Sequence, residues 1–251
     1  GRHINTTSDS EVLLNVFAAA LPSSVSSADI SVADIMTASR LVHQNCVGGF
    51  AVVLLINNVG VVALRDRFGI RPLCIGTRKS PSSTSSLSIP SLPTAASSNS
   101  SETKSPSMPS SPSKNSTSSS SFTPIGSNTD LKKENLDYMF ASESVACDPL
   151  GFTLQGDVAP GETMFVDART GMLHKQQTAT HAILSPCIFE HVYFARPDSF
   201  LDGVSVYQAR LNMGEKLAKK IKRVHPDYQD IDVVIPIPDT SRTTALQIAY
   251  D

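Results

Sequence analysis

The order of apolar and polar residues predicts a first half that is rich in antiparallel sheet. Residues 49–56 and 61–64 are nearly continuous apolar runs on either side of Asn57-Asn58-Val59-Gly60, and two such runs around a short polar turn are typical of a β-hairpin. Residues 73–76 and 138–141 are two further short apolar runs. We expect these two runs to pair with each other, because a long surface loop between paired strands adds little to the entropic cost of folding.

Helical patterns lie on both sides of this region. Ser8-Asp9-Ser10-Glu11 has the spacing of a capping box, and the apolar residues after it recur on one helical face, which predicts a helix over residues 9–21. A second such pattern predicts a long helix over residues 207–221. The apolar run at residues 231–235 predicts a buried parallel strand, followed by a polar turn and a final helix. This order begins an α/β domain, and we expect a domain boundary near residues 172–185.

A serine-rich segment separates the two middle runs. Serine fills about half of the positions between Ser80 and Ser121, and large apolar side chains are almost missing there. Such a segment cannot bury enough surface to offset the entropy of ordering its backbone, so residues 79–128 are predicted to be a disordered insertion. A plain spacer is the default interpretation. Ser105-Pro106 and Ser111-Pro112 leave open a loop that is phosphorylated by proline-directed kinases.

Charge and cysteine usage exclude several classes of protein. Lys and Arg number 21 against 23 Asp and Glu, so no basic field is available for nucleic acid or an anionic membrane, and neither partner is expected. The four cysteines are widely spaced, which predicts reduced thiols in a cytoplasmic protein. The chain starts at Gly1 without a signal-peptide pattern, and a helical pattern is still running near Asp251, so an internal piece of a longer protein is expected.

Two groups of polar residues are candidates for ligand binding. The turn at residues 238–242 follows the predicted parallel strand, where a helix N-terminus offers free N–H groups to phosphate. The hydroxyls of Thr240 and Ser241 have the chemistry to contact phosphate or a phosphate-bound Mg²⁺, with Arg242 as a fixed positive charge. Ordinary helix capping explains the same residues and is favoured by local physics alone. Asp9 in the first helical turn suits either the helix dipole or a substrate ammonium group.

The remaining charged and titratable residues support plainer interpretations. The stretch Arg65-Asp66-Arg67-Phe68-Gly69-Ile70-Arg71-Pro72 is interpreted as a solvated turn in which Gly69 supplies a positive φ. The histidines show no paired spacing, so each is interpreted as a surface or capping group.

Six blocks in the same order together resemble one family, the amidophosphoribosyltransferases, also called glutamine phosphoribosylpyrophosphate amidotransferases. The blocks are RHINTTSDSE at residues 2–11, RDRFGIRPL at 65–73, ASES at 141–144, APGE at 159–162, FEHVYFARPDS at 189–199 and PIPDTS at 236–241. Only the serine-rich insertion and residues 23–46 lie outside the resemblance.

The resemblance implies a fold of mixed α+β and α/β class. Residues 1–175 would be a partial type 2 glutamine amidotransferase domain, an N-terminal-nucleophile glutaminase sandwich (αββα) with the disordered insertion at 79–128. Residues 176–251 would be a linker and the start of a type I phosphoribosyltransferase α/β domain. The implied activity is glutamine-dependent transfer of ammonia to phosphoribosyl pyrophosphate, a glycosyltransferase reaction. It gives 5-phosphoribosylamine in the first committed step of purine (IMP) synthesis.

The resemblance also implies roles for particular residues. Asp9 would hold the α-ammonium group of glutamine, and either Thr240 or Ser241 would contact Mg²⁺ beside pyrophosphate. The catalytic nucleophile of the family is an N-terminal cysteine that is absent from this chain, so no catalytic residue is assigned and the fragment alone is expected to be inactive. Cys187 aligns with an iron–sulfur ligand of some members, but a cluster needs about four thiolates and none is expected here.

Partners and alternatives follow from the same resemblance. The implied ligands are glutamine, phosphoribosyl pyrophosphate and the inhibitory purine nucleotides AMP and GMP, and the implied assembly at full length is a homotetramer. One alternative is a non-catalytic truncated module that acts as a regulatory or interaction partner through its serine-rich loop. Another is a different type 2 glutamine amidotransferase, such as an asparagine synthetase or a glucosamine-phosphate synthase. The turn at residues 238–241 argues against the latter, because those enzymes share the first domain only.

Overall fold

The computed structural model describes residues 4–22, 29–80 and 135–251. Apart from Lys79 and Ser80, the predicted insertion at residues 79–128 lies outside the described residues. Helices are α1 (Asp9–Ala20), α2 (Val32–Asn45), α3 (Val206–Val224) and α4 (Arg242–Tyr250), and strands are β1 (Ala51–Ile56), β2 (Gly60–Arg65), β3 (Cys74–Lys79), β4 (Leu136–Ala141), β5 (Thr153–Asp157), β6 (Glu162–Asp167), β7 (Leu173–Gln177), β8 (Phe200–Leu201) and β9 (Val204–Ser205). The structure is thus a mixture of helices and antiparallel sheets, which confirms the α+β character.

The predicted strand pairs are confirmed. β1 and β2 form the expected hairpin within a four-stranded sheet of order β1-β2-β6-β7. β3 pairs with β4 as expected, with Ile75 opposite Phe140, in a three-stranded sheet of order β4-β3-β5. The pairing continues past the end of β3, because the Ser80 N–H group donates to the Asn135 carbonyl at 2.8 Å.

Two apolar clusters organise these elements into layers. In the first cluster, α1 and α2 pack on one face of the four-stranded sheet through fully buried side chains such as Phe17, Ile35 and Phe165. The second cluster contains residues of both sheets, among them Ala63 of β2 and Ile75 of β3. The four-stranded sheet therefore contributes residues to both clusters, one shared with α1 and α2 and the other with the three-stranded sheet.

α1 is confirmed, but its predicted capping box is wrong. The Ser8 side chain makes no capping hydrogen bond. The Glu11 carboxylate instead accepts the N–H groups of Asn5 and Thr6, at 2.8 and 2.7 Å. A true capping box starts α2, which the sequence analysis did not predict: the Ser31 hydroxyl accepts the Asp34 N–H group and the Asp34 carboxylate accepts the Ser31 N–H group.

The second half differs from the expected α/β order at one place. α3 and α4 are present, but residues 231–235 form no strand. Ile231, Val233 and Ile235 are between 53 and 76% exposed. A strand is defined by hydrogen bonds to a neighbour, and no described residue pairs with this segment, so its apolar pattern alone does not produce one.

α4 is fixed by close packing on α3. A Cβ atom at Gly214 of α3 would lie 2.7 Å from both the Thr244 carbonyl oxygen and the Gln247 Cβ atom. The small buried residues Ala218 and Ala245 lie on the same two helices, at 3 and 8% exposure. The missing side chain of Gly214 therefore lets the two backbones approach, and the turn before α4 is held by α3.

Candidate functional site

The turn that carries Thr240 and Ser241 directly precedes α4. Both residues are half-buried, and the Ser241 hydroxyl donates to the Ile237 carbonyl. Arg242 and Asp239 form an exposed ion pair at 2.7 Å. The Ser241 side chain makes no capping bond to the first turn of α4. The helix N-terminus therefore keeps free N–H groups next to two hydroxyls, which is the arrangement that suits phosphate.

Asp9 lies at the other candidate position, in the first turn of α1. Its side chain is exposed and makes no hydrogen bond or ion pair with the described residues. The loop before it is held by Glu11, whose pKa is lowered mainly by the hydrogen bond from the Thr6 hydroxyl. The Asp9 carboxylate thus lies at a helix end and has no partner among the residues that the structure describes.

The structure does not bring Asp9 and the Thr240–Ser241 turn together. Among the described residues, no hydrogen bond, ion pair or shared apolar cluster joins them; one lies on α1 and the other before α4. Within the same described ranges, no group of three or more His, Cys, Asp or Glu side chains is placed to hold a metal ion. No helix in the described part is both long and apolar enough to cross a lipid bilayer.

The segment after β2 is not a solvated turn as interpreted from the sequence. Asp66 is fully buried, and its carboxylate accepts four backbone N–H groups. Oδ1 accepts from Phe68 at 2.8 Å and Ile70 at 3.2 Å, and Oδ2 accepts from Phe50 at 3.1 Å and Arg71 at 3.3 Å. A buried carboxylate with this many donors organises the loop around itself.

The neighbouring Arg65 is also buried, at 1% exposure. Its guanidinium pairs with Asp202, which is 137 residues later in the chain, through two hydrogen bonds of 2.7 and 2.8 Å. Gly69 has the expected positive φ, +59°, and a Cβ atom there would lie 3.2 Å from Cζ of Arg65. The turn geometry was thus predicted correctly, while the burial of Arg65 and Asp66 was missed.

Two of the sequence blocks meet at a second polar contact. The Glu143 carboxylate accepts the Arg196 N–H group at 2.8 Å and the Ser199 hydroxyl at 2.6 Å. The Ser144 hydroxyl accepts the Phe200 N–H group at 2.8 Å. A cavity of about 580 Å³ opens beside this contact, lined by charged groups of both signs that include Glu143 and Arg196.

A third polar contact joins Arg71 to Glu190. Their side chains form an ion pair at 2.7 Å, without hydrogen-bond geometry at Glu190 Oε1, and the Arg71 guanidinium lies 5.3 Å from the centre of the Phe194 ring. Burial raises the pKa of Glu190, Arg71 lowers it, and the nearby Glu143 raises it further. Sequence reasoning missed these contacts because each joins residues that are far apart in the chain. The available signal was that Arg71, Glu143, Glu190 and Arg196 fall inside the six blocks, whereas Asp202 lies outside them.

The comparisons with known proteins agree on one family. No family model matches the chain. Amidophosphoribosyltransferase of Pseudomonas aeruginosa is 44% identical to this chain over 248 residues, covering 99% of the chain and 38% of that protein. The protein of that name from Escherichia coli is 41% identical over 251 residues (99% and 38%), and that from Schizosaccharomyces pombe is 39% identical over 260 residues (99% and 39%).

Solved structures support the same fold. The structure of glutamine phosphoribosylpyrophosphate amidotransferase from B. subtilis, complexed with ADP and GMP, matches with a TM-score of 0.58 and 22% identity, covering 100% of this chain and 38% of that one. The structure of an allosteric regulatory enzyme of purine biosynthesis matches with a TM-score of 0.59 and 21% identity, covering 100% and 38%. At these identities the likeness concerns the fold alone.

The resemblance that the six blocks indicated is therefore confirmed. The chain is homologous to a segment of curated proteins named amidophosphoribosyltransferase. It spans about 38% of the length of the curated relatives it matches.

Proposed function

We propose that this chain is part of a glutamine-dependent amidophosphoribosyltransferase of purine synthesis. The observation that carries the proposal is the 44% identity to a curated amidophosphoribosyltransferase along 99% of the chain. In the proposed reaction, water hydrolyses the side-chain amide of glutamine to glutamate and ammonia. The ammonia nitrogen then bonds to C1 of phosphoribosyl pyrophosphate as the bond from C1 to the pyrophosphate oxygen breaks, and 5-phosphoribosylamine, pyrophosphate and a proton are released.

The two-part organisation is proposed with it. One apolar cluster is shared by α1, α2 and the four-stranded sheet, and another by the two sheets, which supports the assignment of residues 1–175 to a glutaminase sandwich. Residues 176–251 contain the α3–α4 pair and the phosphate-suited turn, which supports their assignment to a linker and the start of a phosphoribosyltransferase domain. The matches cover both parts, and this disfavours an amidotransferase that shares the first part only.

Asp9 is proposed to bind glutamine. Its carboxylate is exposed on an ordered helix end and has no partner among the described residues, so it is free to pair with the α-ammonium group of the substrate. A carboxylate also lies favourably at the first turn of α1, because the helix dipole stabilises negative charge there. This site therefore binds the ammonium group without a large cost in desolvation.

Thr240 and Ser241 are proposed to face pyrophosphate and its Mg²⁺. Mg²⁺ prefers oxygen ligands and binds at nucleotide and phosphate sites through one or two protein groups together with substrate phosphates and water. Two hydroxyls at a helix N-terminus fit that mode, and the Ser241 oxygen keeps its lone pairs because its proton is donated to the Ile237 carbonyl. When bound, Mg²⁺ neutralises charge on the leaving pyrophosphate. The chain itself orients the phosphate through its N–H and hydroxyl groups.

Further partners are proposed by relationship. The B. subtilis relative was solved with ADP and GMP, which supports purine nucleotides as regulatory ligands of this protein. A cytoplasmic homotetramer is proposed as the working assembly of the full-length gene product.

The glutamine site is tested with an Asp9→Asn variant of the full-length gene product. Loss of a charge-assisted hydrogen bond to the substrate is expected to raise the KM for glutamine by about tenfold or more. Ammonia-dependent pyrophosphate release should be unchanged. Asp227→Asn, which removes an exposed carboxylate elsewhere, is the matched control. An unchanged KM for glutamine in the Asp9→Asn variant would refute the assigned role.

The phosphate site is tested with Thr240→Ala and Ser241→Ala variants. We expect the KM for phosphoribosyl pyrophosphate to rise in at least one variant, with glutamine hydrolysis kept. Thr170→Ala, at an exposed turn, is the control and should match the unmodified protein. If both hydroxyl variants resemble this control, the assigned contact of the turn with phosphate is refuted.

A further inference from the structure

A single buried arginine joins four separate parts of the chain. Nε of Arg65 donates to the Arg71 carbonyl at 2.9 Å, and Nη2 donates to the Gly69 carbonyl at 2.9 Å. Nη1 donates to the Val158 carbonyl at 2.8 Å. The two remaining bonds go to the Asp202 carboxylate in the turn between β8 and β9. All five guanidinium donors are therefore used, and the bidentate pair with Asp202 fixes both distance and orientation.

The β8–β9 hairpin is held on the sheets mainly by polar groups. Asp202 has a φ of +48°, a backbone conformation that few non-glycine residues adopt. In this conformation its carboxylate accepts two hydrogen bonds from Arg65. The Asp157 carboxylate at the end of β5 lies near the N–H groups of Asp202 and Gly203, and both groups lower its pKa. Within the described ranges, the apolar cluster at this junction consists of three buried side chains, Ala195, Leu201 and Val206. Since so little apolar surface is buried here, directional polar contacts set the orientation of the hairpin.

The hairpin in turn sets the start of α3. β9 ends at Ser205 and α3 begins at the next residue, and the Val206 N–H group donates to the Ser199 carbonyl at 3.0 Å. Four residues into α3, Arg210 is 3% exposed and donates to the His191 and Ala195 carbonyls, each at 2.8 Å. These hydrogen bonds tie the first turns of α3 to the residues that precede it.

A continuous chain of packed elements follows. Arg65 holds the hairpin, the hairpin starts α3, and α3 fixes α4 through the close approach at Gly214. The turn with Thr240 and Ser241 is attached to the N-terminus of α4. Asp9, by contrast, lies on α1, which packs on the four-stranded sheet. Arg65 is the last residue of β2 in that sheet. The pair is therefore one link in the series of contacts that connects α1 with the turn before α4.

We propose that Arg65 and Asp202 form a positioning pair that aligns the phosphate-binding turn with the glutamine-binding part of the protein. This inference rests on the proposed function, in which ammonia formed at one site must reach the other. Ammonia diffuses freely, so its yield at the second site depends on how the two parts are placed. Neither Arg65 nor Asp202 touches a reacting atom; they act through the elements they hold.

The test uses the full-length gene product with Asp202→Asn and Arg65→Lys. Three rates are measured: glutamate release from glutamine, pyrophosphate release with glutamine, and pyrophosphate release with ammonium chloride. We expect glutamate release and the ammonia-dependent rate to stay within about twofold, while the glutamine-dependent rate falls about fivefold or more. Asp198→Asn, which breaks an exposed ion pair four residues away, is the control and should leave the ratio of the two pyrophosphate rates unchanged.

A purely structural role would lower all three rates together and keep their ratio, and that result, like three unchanged rates, would overturn the proposal. If the unmodified protein has none of the three activities, the proposed function itself fails. In that case, hydrogen exchange on the same variants tests whether the pair holds the β8–β9 hairpin and the elements after it in place. Faster exchange than in Asp198→Asn at the N–H groups of Phe200 and Val206 and in the first turn of α4 supports the positioning pair, and unchanged exchange overturns it.

Discussion

Replacing Asp66 by asparagine tests whether one buried carboxylate holds the segment after β2. The carboxylate accepts four backbone N–H groups, two at each oxygen, and no part of its side chain reaches solvent. Asparagine has nearly the same shape but keeps only one oxygen. Its NH₂ group must face two N–H donors, and the longer pair, from Phe50 and Arg71 at 3.1 and 3.3 Å, is the one expected to be lost.

The magnitude follows from the number of bonds. A hydrogen bond to a charged group contributes about 1.5–3 kcal/mol. Two such bonds give an expected loss of about 3–6 kcal/mol in the free energy of unfolding, against a total of about 5–15 kcal/mol for a typical domain.

Urea unfolding followed by far-ultraviolet circular dichroism measures this loss. The midpoint should fall while the m-value stays constant, since the surface exposed on unfolding is the same. Asp198→Asn is the matched control, because the same chemical change at an exposed ion pair should alter stability little. If the midpoint of Asp66→Asn equals that of Asp198→Asn, the carboxylate does not hold this segment and the reasoning is refuted.

Three further predictions concern single side chains. Burial first, and then Asp202, raise the pKa of Asp157 from 3.8 to about 6. The folded state therefore binds this proton more tightly than the unfolded state, so the contribution of Asp157 to stability should fall as pH rises from about 4 to about 6. Urea titrations at several pH values should show this slope, and Asp157→Asn should remove it. Burial raises the pKa of Cys74 to about 12, so iodoacetamide should label the half-buried Cys46 before Cys74 in the native chain, and equal rates on peptide mapping would contradict the packing. Ser31→Ala should lower stability by about 1 kcal/mol through loss of the α2 cap, whereas Ser8→Ala, which removes no capping bond, should have a smaller effect in the same urea assay.

Local patterns were sufficient for much of the fold. The β1–β2 hairpin, the β3–β4 pair, α1 and α3 all follow from the spacing of apolar residues, because those elements bury one face against a neighbour. α2 was missed although its sequence contains a usable signal, the Ser31 and Asp34 capping box. Residues 231–235 were predicted as a strand from apolarity alone, but strand formation requires a hydrogen-bonded neighbour that no described residue provides.

The candidate site was predictable only in part. The sequence pattern indicates a helix start at Asp9 and a polar turn at Thr240 and Ser241, so these candidates could be named without the structure. The role of Arg65 was not predictable, since its charge is compensated by Asp202, 137 residues away. The burial of Asp66 was missed although its backbone donors lie within 16 residues. A charged residue at the end of an apolar strand looks solvated until the partner that compensates its charge is known.

The central proposal is that the full-length gene product transfers nitrogen from glutamine to phosphoribosyl pyrophosphate. The most direct measurement incubates the purified full-length gene product with both substrates and Mg²⁺ and quantifies glutamate and pyrophosphate over time. We expect glutamate and pyrophosphate to appear together in a ratio near one. Pyrophosphate release should stop when glutamine is omitted and no ammonia is added. Glutamate release without any pyrophosphate, or neither product, would contradict the account.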